Sequence, residues 1–341
     1  MKQIRTEDAV GHVLCHDITR IVRGVSKGTA FRKGHVVMPE DIPALLALGK
    51  EHLYVWEHQP GMLHENDAAE ILYALCAGPH MKPSEVKEGK IEVKADADGF
   101  FCVDVERLKK VNRLGEMMIA TRHTHSAVKK GDVLAGTRII PLLIAEEKMI
   151  KAQQAAGAAP LLTLYPYASK KVGIITTGSE VYKGLIQDTF TPVLREKIAE
   201  YGAQEMGHVV LGDDTDAITA AITNLVRQGA DLVLCSGGMS VDPDDRTPLA
   251  IKNAAHFVVS YGAPVLPGAM FMLAYTASGV PVMGLPGCVM YAKRTIFDLI
   301  LPRIMANIPV TAEDLAALGH GGLCLGCAVC IFPNCAFGSG V

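Results

Sequence analysis

The residues best suited to chemistry stand near the C-terminus. There Gly321-Gly-Leu-Cys324-Leu-Gly-Cys327-Ala-Val-Cys330-Ile-Phe-Pro-Asn-Cys335 spaces four thiols as C-x2-C-x2-C-x4-C. Four thiolates this close along a chain supply a complete coordination shell. The first two spacings, C-x2-C-x2-C, are those with which bacterial iron–sulfur motifs begin, and the last, x4, differs from the usual run. The expectation is therefore a metal centre at Cys324, Cys327, Cys330 and Cys335, holding an iron–sulfur cluster or zinc, against the plainer reading of four free thiols. The other five of the nine cysteines (Cys15, Cys76, Cys102, Cys235 and Cys288) are scattered. The start, Met1-Lys-Gln-Ile-Arg5, has no apolar leader, which favours a cytoplasmic setting and metal or redox chemistry over structural disulfides.

A second group of residues falls at the ends of short apolar runs. Val172–Thr177 runs into Gly178-Ser179-Glu180, and Asp231–Cys235 runs into Ser236-Gly237-Gly238-Met239-Ser240. Val280–Gly284 runs into Leu285-Pro286-Gly287-Cys288. Glycine turns of this kind let backbone N–H groups approach a phosphate closely. Asp242, Asp244 and Asp245 follow the second turn and offer hard oxygen ligands for Mg²⁺ or a proton acceptor. Cys288 is read as opening a helix, whose dipole would favour a thiolate. Each feature has a plainer reading: ordinary tight turns, a solvated acidic helix start, and a cysteine that only fills space.

The elements that must position these turns alternate in type. Between the apolar runs lie amphipathic helices, near Thr189–Tyr201 and Thr215–Gln228, that stop at Gly202 and Gly229, with a further strand at His208–Leu211. Strand, helix, strand repeated in this way predicts crossovers and a parallel sheet covered on both faces, with ligands at the carboxyl ends of the strands. A closing helix is read over Val289–Met305, bent by Pro302.

Upstream of residue 165 the pattern is a mixture of short strands and helices. Gly24, Gly28 and Gly34 bracket strands, Pro39–Leu48 and His64–Ala77 read as helices, and Trp56 as a packing residue. Ile91–Val105 reads as a hairpin about Asp96-Ala-Asp-Gly99, and His123-Thr-His125 as a pair on one strand face. The domains expected are 1–165, 166–315 and a cysteine-rich tail over 316–341. The fold class is α/β, a three-layer parallel-sheet domain preceded by a mixed α+β domain.

With 341 residues, 49% of them hydrophobic, the chain can bury large cores, and its net charge of −3 gives no basic surface for nucleic acid. Phe257–Ala292 carries no charge, but Pro264, Pro267, Pro281 and Pro286 break it before it could span a membrane.

In their order, Thr177-Gly-Ser-Glu180, Gly184-Leu-Ile-Gln-Asp188, Gly212-Asp213-Asp214, Asp231–Gly238 with Asp245, Pro267-Gly268 and Leu285-Pro-Gly287 resemble the MoaB/Mog molybdopterin-binding domain, which molybdopterin adenylyltransferases and molybdenumtransferases share. The resemblance covers about residues 170–307. It implies a pterin–dithiolene ligand with its phosphate among Thr177, Gly178, Ser179, Glu180, Ser236, Gly237, Gly238, Ser240, Pro286, Gly287 and Cys288. It also implies Asp214 and Asp245 around the phosphate or around Mg²⁺ and ATP. Family members that insert molybdenum have a lysine where this chain has Ala269, and a polar run where it has Cys288-Val-Met-Tyr291. The resemblance thus implies a protein of molybdenum cofactor biosynthesis, acting by adenylyl or molybdenum transfer. The alternative is a non-catalytic carrier or sensor of molybdopterin. A homo-oligomer is implied, with a molybdoenzyme or another biosynthesis protein as partner.

Overall fold

A computed structural model describes residues 2–22, 26–55 and 60–340; Gly24 and Trp56 lie outside the described residues. The chain upstream of residue 165 builds two separate hydrophobic cores. One gathers Leu14, Ile18, Val37, Leu45 and Leu53. The other gathers Leu72, Val93, Phe101, Leu134, Ile139, Met149 and Leu162. Helix Glu65–Cys76 buries Ala68, Ala69, Leu72 and Cys76, which recur at helical spacing, and the His64 ring accepts the N–H of Asn66 to cap it.

The expected hairpin about Asp96–Gly99 does not form. Lys90–Ala95 pairs with Met81–Pro83 and Val133–Ile139, whereas Gly99–Val103 pairs with Ser126–Val128 and Leu162–Pro166 in a different sheet. The reason lies in Phe100 and Phe101, both fully buried though they point to opposite faces of one strand. Phe101 enters the core around Leu72, and Phe100 lies beneath the Arg303 guanidinium, 6.0 Å away. A strand that needs cover on both faces cannot be a simple return arm. His123 and His125 occupy a loop rather than a strand face, with His125 stacked on Phe100 at 5.9 Å.

The second half is a six-stranded sheet. Its strands are β1 (Lys171–Thr177), β2 (Gln204–Leu211), β3 (Leu232–Ser236), β4 (Phe257–Tyr261), β5 (Met272–Tyr275) and β6 (Pro281–Leu285). They lie in the order β2-β1-β3-β6-β5-β4, parallel from β2 to β6, with β5 and β4 antiparallel at the edge. Alternate residues face two helical layers. Ile174, Leu234 and Met283 meet α1 (Phe190–Ala199) and α4 (Ile296–Met305) through Leu194, Ile198, Phe297 and Leu301. Ile175, Val233 and Val282 meet α2 (Thr215–Arg227) and α3 (Thr247–Ala254) through Ile218, Ile222, Ala250 and Ile251. The central parallel strands β1, β3 and β6, covered on both faces, read as nearly continuous apolar runs, whereas β2 at the edge is only half-buried and mixes Gln204, Glu205 and His208 with its apolar residues. No helix among the described residues is long and apolar enough to cross a membrane.

The helix expected over Val289–Met305 is broken. Gly287–Met290 is a single 3-10 turn, and α4 starts only at Ile296. Thr295 and Asp298 set that start by a reciprocal cap: the Thr295 hydroxyl accepts the N–H of Phe297, and the Asp298 carboxylate accepts the N–H of Thr295 at 2.7 Å. Asp298 is only 3% exposed, and it also accepts Lys197 Nζ from α1 at 2.6 Å and Arg294 Nη1 at 2.9 Å. Removing one partner of a buried pair strands the other charge, at a cost of about 3–5 kcal/mol. Asp298→Ala is therefore expected to lower the unfolding free energy by about that amount in urea melts, and a loss below about 1 kcal/mol would show that water reaches the pair.

Candidate functional site

At the carboxyl ends of the parallel neighbours β1 and β3, the chain leaving β3 crosses Thr177 so closely that positions 237 and 238 admit no side chain. Gly237 has φ +89°, and a Cβ there would overlap the carbonyl oxygen of Thr177; Gly238 has φ +54°, and a Cβ would stand 2.9 Å from Thr247 Oγ1. Both angles belong to the left-handed region that side chains rarely adopt. The crossing is tied by Thr177, whose hydroxyl lies 2.9 Å from Thr247 Oγ1 at the start of α3 and donates to the carbonyl of Ser236 at 3.3 Å.

Above the crossing two open compartments join. One, of about 520 Å³, is lined by Thr177, Gly178, Glu180, Asp188, Asp213 and the turn Asp242–Asp245. The other, of about 540 Å³, is walled by Ser240, Ala269, Met270, Pro286, Gly287, Cys288 and Tyr291. Gly237, Gly238, Asp242, Asp245 and Met290 border both. Thus Thr177, Gly178, Glu180, Gly237, Gly238, Ser240, Asp245, Pro286, Gly287 and Cys288 are brought to one cleft.

Three sequence candidates stand elsewhere. Ser236 is fully buried inside β3. Ser179 supports the wall instead, its N–H and hydroxyl both donating to Asp213 Oδ2, at 2.9 and 2.8 Å. Asp214 caps α2 by accepting the N–H of Ala217 at 2.9 Å, so the carboxylate that faces the cleft is Asp213. In Asp213-Asp214-Thr215, a carboxylate three residues before Ala217 is itself the signal of a helix cap. That signal assigns Asp214 to the helix and leaves Asp213 for the cleft.

Asp188, quoted above only as part of a motif, is fixed more firmly than any other carboxylate in the wall. It accepts the hydroxyl of Thr191 at 2.6 Å, the N–H of Phe190 at 2.9 Å and the hydroxyl of Thr176 at 3.1 Å, with His208 Nε2 at 3.5 Å. Burial alone would raise its pKa, but these hydrogen bonds outweigh burial and hold it below the ordinary carboxylate value.

The charged groups of the lining are all acidic: Glu180, Asp188, Asp213, Asp242, Asp244 and Asp245, with no lysine, arginine or histidine among the described lining residues of either compartment, His208 standing behind Asp188. A bare phosphate would be repelled here, whereas a phosphate carrying a divalent cation would not. The expected thiolate at Cys288 is not supported. The residue sits in a 3-10 turn rather than a helix start, and burial pushes its thiol above the ordinary value.

The four tail cysteines are kept apart in character. Cys324 and Cys335 pack against the core under α4, while Cys327 and Cys330 are exposed. Among the described residues no three His, Cys, Asp or Glu side chains are grouped to hold a metal ion, at the tail or in the cleft.

Residues 173–306 match a family described as a probable molybdopterin binding domain, and residues 3–57 match a domain of unknown function. A CinA-like protein of Mycolicibacterium vanbaalenii is 41% identical over 80 residues, 23% of this chain and 19% of the relative. A CinA-like protein of Desulfosudis oleivorans is 37% identical over 82 residues, 24% of this chain and 20% of the relative. The chain thus spans about a fifth of the length of these curated relatives. The molybdopterin biosynthesis enzyme MoaB of Thermus thermophilus aligns with a TM-score of 0.36 and 24% identity, over 39% of this chain and 91% of its own.

The Asp188 network sets a pH dependence. A carboxyl whose folded pKa lies below its unfolded value adds stability that is complete above about pH 4 and is lost as acid titrates it in the folded state. Asp188→Ala is expected to cost about 1–2 kcal/mol at neutral pH, by loss of the cap on α1, and to flatten the fall in stability below about pH 4. Denaturant melts at neutral and acid pH check this; an equal deficit at both would disprove the assignment.

Proposed function

From the match of residues 173–306 to a family described as a probable molybdopterin binding domain, we propose that the cleft above β1 and β3 binds the phosphate of molybdopterin as its magnesium complex. The adjoining compartment, walled by Met270, Pro286, Cys288, Met290 and Tyr291, would take the pterin–dithiolene end. The observation that carries this reading is the convergence of Gly178, Gly237, Gly238 and Asp245 on one cleft, with a lining that holds six carboxylates and no cationic side chain.

The donor set suits Mg²⁺, a hard cation that keeps several waters and is commonly held by one or two carboxylates together with substrate phosphates. A preassembled three-carboxylate cage is not required for that mode. Asp245 and Asp242 border both compartments and are the natural protein ligands; Asp213, held by Ser179, is a third. When bound, Mg²⁺ would neutralise phosphate oxygens in this acidic surrounding. The chain itself would supply the unobstructed backbone of Gly237 and Gly238 and an apolar wall that orients the ring.

Of the transfer reactions, adenylyl transfer fits the lining better than molybdenum insertion. In it a phosphate oxygen of molybdopterin would bond to the α-phosphorus of ATP, while the bond to the departing pyrophosphate breaks. Ala269 lines the compartment where a molybdate oxyanion would need a cation, and no lysine or arginine compensates in the described lining. The same lack favours a second reading, a carrier or sensor that holds molybdopterin without turnover.

Calorimetric titration with molybdopterin tests the binding. Affinity is expected to rise with Mg²⁺ and to drop by roughly ten- to a hundredfold in Asp245→Asn, the scale of one charge-assisted contact. Incubation with Mg-ATP then separates the readings: an adenylylated pterin means transferase, and tight binding without product means carrier. Absence of any molybdopterin binding by the folded protein would sink both.

A further inference from the structure

The cysteine segment is an unusual piece of surface. Residues 321–340 contain no Asp, Glu, Lys or Arg, and apolar residues alternate with the thiols. Leu325 is 78% exposed and Val329 74%, with Leu323 and Ile331 also exposed. No helix or strand occurs between Gly322 and Gly340. Such a loop buries too little apolar surface to specify its own shape.

Its ends, in contrast, are firmly fixed. The N–H of Gly338 donates to the carbonyl of Gly321 at 3.0 Å, which closes the segment into a loop. On one arm Leu266 donates to Gly322 and accepts from the N–H of Cys324, both at 2.8 Å. On the other arm Phe337 is buried and Phe332 lies under the Arg294 guanidinium at 5.2 Å. Cys324 and Cys335 are therefore anchored on the core, and Cys327 and Cys330 ride on the arc between them. With the loop already closed, most of the entropy of bringing its arms together has been spent in folding. Over the arc stands a cation: Lys293 Nζ donates to the carbonyl of Ala328, between the second and third cysteines, at 3.3 Å.

We propose that Cys324, Cys327, Cys330 and Cys335 are the ligands of a tetrathiolate metal centre, and that binding gathers the exposed arc inward onto the anchored pair. A segment with thiols and no carboxylate selects a soft metal over Mg²⁺ or Ca²⁺. Zinc and a cubane iron–sulfur cluster share this chemistry. Three cysteines two residues apart suit neighbouring irons of one cubane, with Cys335 closing the set from the return arm. Either centre with four thiolates carries net negative charge, which Lys293 offsets from its place over the arc, and gathering the arc would cover Leu325 and Val329. This centre is independent of the cleft and stands whether or not molybdopterin binds.

The full chain, produced and purified without oxygen in iron- and zinc-containing medium, is to be assayed for iron, acid-labile sulfide and zinc. About four irons and about four sulfides per chain, with a visible charge-transfer band, are expected. About one zinc per chain, without sulfide, would establish the tetrathiolate with the other metal. The double variant Cys327→Ser/Cys330→Ser is expected to lose the metal while keeping its far-ultraviolet circular dichroism, whereas Cys102→Ser, outside the loop, keeps it. A folded wild-type chain free of metal, with all four tail thiols open to a thiol reagent, would overturn the proposal. So would a double variant that retains the full metal content.

Discussion

Neither residue 237 nor residue 238 can carry a side chain where the chain leaving β3 passes over Thr177 at the end of β1, and the cleft owes its shape to that exclusion. Thr177 fills the crossing from below, bonding both to the Ser236 carbonyl and to the hydroxyl that begins α3. Gly237 and Gly238 then pass over it with left-handed backbone angles, which carry the chain out to the acidic turn at Asp242–Asp245. A larger residue at either glycine would push that turn away from β1 and part the two walls. The position of every carboxylate in the turn is therefore a consequence of two missing Cβ atoms.

Six carboxylates facing one opening repel each other, so the walls that carry them need support from behind. The structure provides it unevenly. Asp188 is locked by Thr176, Thr191 and backbone N–H groups, and Asp213 by Ser179. Asp242 and Asp244 are exposed on a turn held chiefly by the bonds between Asp242 and Asp245. The two held carboxylates, Asp188 and Asp213, lie on the β1 side together with the exposed Glu180, and the turn carboxylates lie on the β3 side. That division lets one wall define the cleft while the other adjusts to what enters.

The parallel strands were legible because strands buried on both faces read as unbroken apolar runs, and β1 and β3 do so up to the glycines that end them. The helices α1 and α2 were legible from their periodicity and from Gly202 and Gly229 beyond their ends. What escaped depended on choices between neighbours. Asp213 and Asp214 are chemically alike, and only the cap on Ala217 tells them apart. Cys288 follows a Pro-Gly turn that could start a helix, yet the real start signal lies downstream at Thr295-Ile-Phe-Asp298. Asp96–Gly99 has turn composition, but pairing was decided by two adjacent phenylalanines that each needed a different core, which is long-range information.

Those phenylalanines have an architectural consequence. Phe100 and Phe101 leave one short strand in opposite directions, one into the core of the first half and the other against α4, beneath Arg303. The same strand is bordered by Leu162–Pro166, only four residues before β1 begins. A cut near residue 165 would strip the border strand Leu162–Pro166 from its sheet, and separating the halves would uncover the flank of α4 that Phe100 covers.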